Sequence, residues 1–554
     1  MRRCLLTAVF TLVILAMLAP AVFAQTPPPA PKVTITGTFD QLTSAGRNFY
    51  DGNYSRDNDR EWYARTRFRP DFEFAVGRTK AVLGLEIDLM YGQGGSNDGG
   101  FPGNASGSAG GFPGGTKSAT NGALDLNTDV GGMIEIKWIY TEFDLTGKDS
   151  LLPFIPFLTV ARAGGQPFGT IANYKVYYAN GDFAGLDLYS TFTPDIKNHL
   201  AFVVVEDQLA GGNRSAATAR TNRGEDYAFI ISPEITPFKG LDLKPMFSWF
   251  HADGTTSGSA RRNAFNVRTV GNALNAAPGT GNAPAGDASF HENRYTVGLD
   301  ARWRVGPFGL DPTIAYQWGK YDTLALRTDG TTGKVEGDAS AWLFDVIGSY
   351  QLGPLLLELR GMYSPGNKAR DNLSLSKRYF EPINLDTGYW SGGWLGILAL
   401  GVDYFNGGGG ANQGMDTNIG YDRYGRAQFA LRATYSITPA LSVYGVVSPA
   451  WSAEKVDTDT GCPALTVATS NAGCTGRVAV AGAPSFVEGD SSYLGTEING
   501  GFTWRFAANT AFDLAGYYLA AGPAFKMTEN LNGVPVKRDQ NDAYYVAARV
   551  RLSF

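Results

Sequence analysis

The chain has 554 residues, a formal net charge of −5 and 13% aromatic residues. Nucleic-acid partners are bound by clustered Lys and Arg, so this mildly acidic balance excludes nucleic acid as an expected partner. Glycine, at 70 residues, exceeds its usual share of about 7%, and no apolar run of about 20 residues follows the N-terminal segment, which excludes a transmembrane helix there.

The first residues read as a signal peptide over 1–24. Arg2 and Arg3 precede an apolar run from Leu5 to Leu18, and Val22 and Ala24 occupy the −3 and −1 positions for cleavage before Gln25. Cys4 lies ahead of the apolar run and no cysteine marks the cleavage point, so a lipid anchor is not expected. Removal of 1–24 takes two arginines and moves the formal charge from −5 to −7. Residues 25–32 are a short Pro-rich leader, and 33–554 form one domain.

The next informative stretch is EWYARTRFRPDFEF at 61–74. Arg65, Arg67 and Arg69 occupy alternate positions, with Trp62, Phe68, Phe72 and Phe74 on the other face. That is the period of a β-strand. It recurs at 80–91 (Leu83, Leu85, Ile87 and Leu89 against Glu86 and Asp88), at 294–305, at 424–437 and at 494–506. Between strands, short connections carrying Pro, Gly or Asn (77–79, 193–198, 236–240, 305–309, 352–354, 437–440, 507–510) alternate with long polar ones (92–130, 253–290, 365–423, 456–490). Sorting of this kind is expected of a transmembrane β-barrel with short periplasmic turns and long extracellular loops.

Strands are expected to start near 33, 61, 79, 132, 154, 182, 198, 225, 240, 291, 309, 339, 354, 424, 440, 492, 510 and 541, giving 18, with 16 as the alternative count. An even number puts both chain ends on the short-turn side, as single-chain barrels require. WLGILALGVDYF at 394–405 would break the parity, so it is assigned to the loop over 365–423, as a short helix or hairpin that enters the pore or packs on the rim.

The chain ends NDAYYVAARVRLSF, a strict alternation finishing at Phe554. This resembles the last strand of bacterial outer-membrane barrels, whose terminal aromatic is read by the assembly machinery. In architecture the whole mature chain resembles outer-membrane porins. The resemblance implies outer-membrane location, lipid as a partner, and passive diffusion of small hydrophilic solutes, substrate-selective or leaning towards anions. A different role, as a surface adhesin or structural barrel acting through its long loops, is the alternative.

Facing is decided by cost. An arginine on the lipid face at mid-bilayer costs roughly 2–4 kcal/mol, so three would cost on the order of 6–12. Arg65, Arg67 and Arg69 are therefore assigned to the lumen, with Glu73, Glu86, Asp88, Arg294, Arg302, Arg304, Arg360, Arg432, Arg505, Arg549 and Arg551. These arginines either create a basic strip or pair with carboxylates and stiffen the wall. Trp138, Trp249, Trp318 and Trp342 suit interfacial girdles. ARAGGQPFG at 161–169 resembles the point where a porin loop turns inward, which would bring Arg162 to the lumen.

Cys462 and Cys474 share one polar loop of an exported chain and read as a disulfide, with a metal site as the rival. His251 and His291 fall at the outer ends of adjacent strands and could approach each other; solvated surface residues are the expectation, with no metal and no cofactor. No nucleophile, phosphate-loop or metal-ligand motif is present, so an enzyme is not expected.

Overall fold

The computed structural model describes residues 30–48, 60–91, 128–130, 134–148, 150–207, 225–253, 291–326, 332–368, 377–385, 394–398, 424–456, 478–480, 483–486, 489, 491–531 and 534–554. The expected signal peptide, the Cys462–Cys474 pair and the rest of 394–405 lie outside these residues, as does the side chain of Asp88.

Eighteen strands form one closed antiparallel ring. They are β1 (Lys32–Arg47), β2 (Arg60–Val76), β3 (Thr79–Tyr91), β4 (Ile134–Asp144), β5 (Leu158–Pro167), β6 (Asp182–Thr193), β7 (Ile196–Asp207), β8 (Glu225–Phe238) and β9 (Leu241–Asp253). The ring continues with β10 (His291–Val305), β11 (Phe308–Leu326), β12 (Thr332–Leu352), β13 (Leu355–Ser364), β14 (Arg426–Thr438), β15 (Leu441–Val456), β16 (Ser491–Ala507), β17 (Thr510–Ala521) and β18 (Ala543–Ser553). Each strand pairs with the next, and β18 closes on β1 with Thr38 opposite Ser553 and Arg47 opposite Tyr544. A short strand, Thr128–Val130, adds to β4.

Sixteen of the eighteen strands begin within two residues of expectation. The others have identifiable causes. Pro153 and Pro156 supply no ladder donors, so β5 waits until Leu158. β12 starts at Thr332 and not 339 because its polar first residues, TGKVEGD, pair with the equally long β11. Strands of 19 and 21 residues exceed the 9–11 that cross a bilayer, so their outer parts need no apolar face.

The short turns lie at one end of the barrel. Gly306 (φ +57°) and Gly353 (φ +55°) each precede a proline in a two-residue turn. A first turn residue with positive φ matches the twist of the flanking strands, and glycine takes it without a Cβ clash.

Outside, the wall is a belt of exposed large apolar side chains, among them Phe247, Val297, Leu299, Ile314, Phe344 and Ile498. At the long-loop end the belt is bounded by a row of rings: Tyr295 stacks on Trp318 at 5.7 Å and Tyr316 packs on Trp342 at 4.4 Å. At the short-turn end stand Trp303, Phe308, Trp504, Phe506 and Phe554. An apolar belt between two aromatic rows is what a barrel in a bilayer must present. Phe554 belongs to this outer surface; it stacks on Phe68 and its backbone exchanges hydrogen bonds with Gly37.

Trp249, Trp318 and Trp342 are on the outer face as expected. Trp138 is not. A β-bulge shifts the register where Gly84 faces Trp138 and Leu85 faces Ile136, reversing the alternation of β4. Trp138 therefore turns inward and lies over Gly84, where an added Cβ would meet the indole at 2.0 Å.

Candidate functional site: the barrel interior

The interior is built by eighteen inward faces and three chain segments that enter between them. The first segment follows β5. Residues 161–167, expected to open a loop, are strand: Gly164 sits at φ +125°, where an added Cβ would strike the Ile139 carbonyl at 2.5 Å, so glycine here serves close strand approach. The inward excursion starts one step later, at Phe168, with a helical turn at Gly169–Ala172.

Polar contacts with far strands hold this segment. Ser232 Oγ donates to the Ala172 carbonyl at 2.9 Å, and Lys244 Nζ donates to Thr170 O at 2.6 Å and Glu234 Oε1 at 2.8 Å. Lys175 Nζ donates to Asp311 O at 2.6 Å and Asp345 O at 3.1 Å, while its backbone N–H donates to Asp300 at 2.8 Å. Burial pushes the Lys175 ammonium's pKa down, opposed by the charges of Asp345 and Asp300. The tip includes Val176 at φ +57°, a strained angle for a β-branched residue. With its amide turned to suit its neighbours, Asn173 accepts from Val176 N at 2.6 Å and Tyr177 N at 2.9 Å, which holds the tip in that shape.

The second segment, 377–385, lies beside the first. Asn384 and Leu385 pair in parallel with Ala179 and Asn180, and Ile383 N donates to Tyr178 O at 2.8 Å. Together they make one buried cluster, including Phe168, Tyr177, Tyr178, Phe380 and Ile383, against the inward faces of β6–β13. Glu381 serves this packing: it accepts from Arg294 and from Lys377, each at 2.8 Å.

The third segment is the described part of 394–405. Residues 394–398 form bends and a turn, and they enter the barrel on the opposite side. Leu395, Ile397 and Leu398 pack with Tyr517, Leu519, Tyr545 and Ala547 of β17 and β18. The anchor is Glu497 on β16. Its carboxyl oxygens accept from Gly396 N at 2.6 Å, Ile397 N at 3.1 Å and Leu398 N at 3.0 Å, and Asn499 Nδ2 donates to Trp394 O at 2.9 Å.

The first cluster thus covers β6–β13, the second covers β15–β18, and Trp394 packs on Ala430 of β14 and Val446 of β15 between them. The wall they leave is β1–β5, and it is charged. Here Arg67 meets Glu86 at 2.7 Å and Arg69 Nε donates to the same carboxylate at 2.5 Å. Arg65 faces Asp40 at 3.4 Å. Glu73 faces Lys80 at 3.4 Å, and Arg162, on β5, donates to Glu142 at 2.7 and 3.0 Å. The side chains of Arg69, Glu73 and Lys80 are 36%, 41% and 31% exposed while those of Asp40, Arg65 and Glu86 are buried, so this wall meets water mainly towards the short turn at 77–78.

The remaining expected arginines also lie on inward faces, and most are paired. Arg360 forks onto Asp345, Arg432 onto Glu358 and Arg549 onto Asp513. Arg304 pairs with Asp311 near a short turn. Arg294 is fully buried between Glu292, Glu381 and the Phe250 ring, away from any water path. Of the two readings for the ladder, paired bracing therefore describes most of these side chains. Arg302, stacked on the Tyr174 ring, is not within ion-pair distance of a described carboxylate, and the same is true of Arg505 and Arg551. All three sit within a few residues of the short-turn end.

His199, also near that end, stacks on Tyr189 and places Nδ1 3.0 Å from Asp187. The residues missed from the sequence are Lys175 and Glu381 on the inserted segments, together with Asp40, Glu142 and Glu497 as partners. The available signal was apolar and aromatic density inside otherwise polar connections, as in IANYKVYYAN and RYFEPINL.

No family model matches the chain, and neither does any curated protein. Solved structures of similar architecture include OccK8 (OprE) of Pseudomonas aeruginosa, 11% identical over 94% of this chain and 98% of that one, with a TM-score of 0.43. Another is a BenF-like porin from Pseudomonas fluorescens Pf-5, 11% identical over 94% and 99%, with a TM-score of 0.45. A third is the outer membrane protein opdK from Pseudomonas aeruginosa, 8% identical over 94% and 99%, with a TM-score of 0.44. Similarity this loose transfers neither residue roles nor solutes to this chain.

Proposed function

We propose that the protein is a bacterial outer-membrane channel for passive diffusion of small hydrophilic solutes. The observation that carries this reading is a closed barrel with an apolar outer belt whose inserted segments cover two sides of the interior and leave the charged wall of β1–β5, which meets water towards its short-turn end. Such a wall offers a solute hydrogen bonds and alternating charge in place of bulk water. Pairing of the ladder keeps its field short-ranged, while Arg302, Arg505 and Arg551 favour anions at the short-turn mouth. Phe554 would serve as the assembly signal.

Swelling of liposomes containing the refolded barrel tests this reading. Small neutral and carboxylated solutes are expected to enter, with rates falling steeply as solute size grows. Entry rates equal to those of protein-free liposomes for every solute would refute the channel.

A further inference from the structure

We infer that the outer rim between β9 and β10 carries a transition-metal site formed by His251, Asp253 and His291. One ligand atom from each lies within 4.8 Å of the other two, and the imidazole centroids are 5.1 Å apart. The three residues sit on the outward face, on the loop side of the aromatic row, with His251 buried and Asp253 and His291 reaching the surface. Two imidazoles and one carboxylate suit Zn²⁺, Ni²⁺ or Cu²⁺, whereas Ca²⁺ and Mg²⁺ favour all-oxygen sets.

The surroundings orient the donors. Trp249 Nε1 lies 3.0 Å from Asn293 Oδ1, and an indole N–H can only donate, so the amide oxygen must face it. That oxygen then also accepts from His251 Nδ1 at 3.1 Å, which leaves the His251 lone pair on Nε2. The amide nitrogen donates to His291 Nε2 at 2.9 Å, which puts that ring's proton on Nδ1, so a metal reaching Nε2 displaces this hydrogen bond. The Nδ1–H of His251 held by an amide oxygen is the kind of contact that orients a metal-ligating imidazole. The electrostatics agree. Asp253, Asp322 and Glu336 share one register row with His291 across β9–β12, and carboxylates beside the histidines favour a divalent cation there. Lys320, opposite Asn293, is the nearest positive charge in register. Binding would exchange the Asn293–His291 hydrogen bond for a metal bond, and the bound ion would staple the two strands at the base of the connection that joins them.

The test uses the folded, chelator-treated barrel in detergent, with Zn²⁺ alone as titrant and Co²⁺ as a spectroscopic probe. One Zn²⁺ per chain is expected, with visible Co²⁺ bands of a nitrogen-containing site. His251→Ala and His291→Ala should each abolish the bands. Heat-modifiable migration of each variant shows that its barrel has formed. No Zn²⁺ uptake by the native protein, or uptake unchanged in both folded histidine variants, would overturn the site. Because the readout is metal uptake, it does not depend on whether the barrel conducts.

Discussion

Replacing Glu497 by alanine is expected to free the 394–398 segment and raise ionic conductance through the barrel. Three consecutive backbone N–H groups converge on this one carboxyl group, and they have no other described acceptor at the site. Each bond contributes about 0.5–1.5 kcal/mol net, and each N–H left buried and unsatisfied costs about 1–3 kcal/mol. Loss on the order of 4 kcal/mol shifts a two-state equilibrium by roughly a thousandfold. The apolar contacts of Leu395, Ile397 and Leu398 with Tyr517 and Tyr545 oppose release, so part of that factor is retained by the inserted state. Single-channel steps in the variant should be larger and noisier than native, while its melting temperature falls only slightly because the eighteen-strand ladder is untouched. Native-sized steps in Glu497→Ala would show that the segment does not obstruct the path.

The second large effect concerns the arginine ladder. Glu86→Gln is expected to move ion selectivity towards anions. Glu86 is 4% exposed and holds Arg67 and Arg69 together, so neutralising it removes one negative charge facing two positive ones. The shift in reversal potential should be greater at 0.01 M salt than at 0.1 M, since the Debye length falls from about 30 Å to about 10 Å. Arg69 is one-third exposed, so water screens part of the lost attraction and the melting temperature should drop modestly. The converse pair, Arg67→Glu with Arg69→Glu, places three carboxylates together with Asp40 close by; it should favour cations and destabilise the barrel more. A lower melting temperature with unchanged reversal potentials in both variants would mean that the ladder only braces the wall.

How much of this was legible follows from where each constraint acts. A bilayer penalises every polar side chain on the outer face, so each strand carries a period of two that can be read without its neighbours. That is why Phe429, Leu431 and Tyr435 identified the outside of β14, and Arg432 the inside, from sequence alone. The period fails where geometry is set across strands. Trp138 was misassigned because one bulge opposite Gly84 reverses the alternation, and nothing local to IEIKWIY announces it. Gly164 suggested a turn, yet its lack of a side chain serves strand packing against Ile139 and Tyr140. The inserted segments lie furthest from sequence reasoning. Their polar contacts join residues about a hundred positions apart, as between Gly396 and Glu497, and a loop within a barrel obeys no periodicity.

The most direct measurement is single-channel recording of the native barrel in a planar bilayer, without added partner or energy source. A water path along β1–β5 predicts discrete, long-lived steps with current proportional to salt concentration and a weak preference for anions. Insertion of folded, heat-modifiable protein with no steps at any voltage, in the native chain and in Glu497→Ala alike, would contradict a continuous path through the interior.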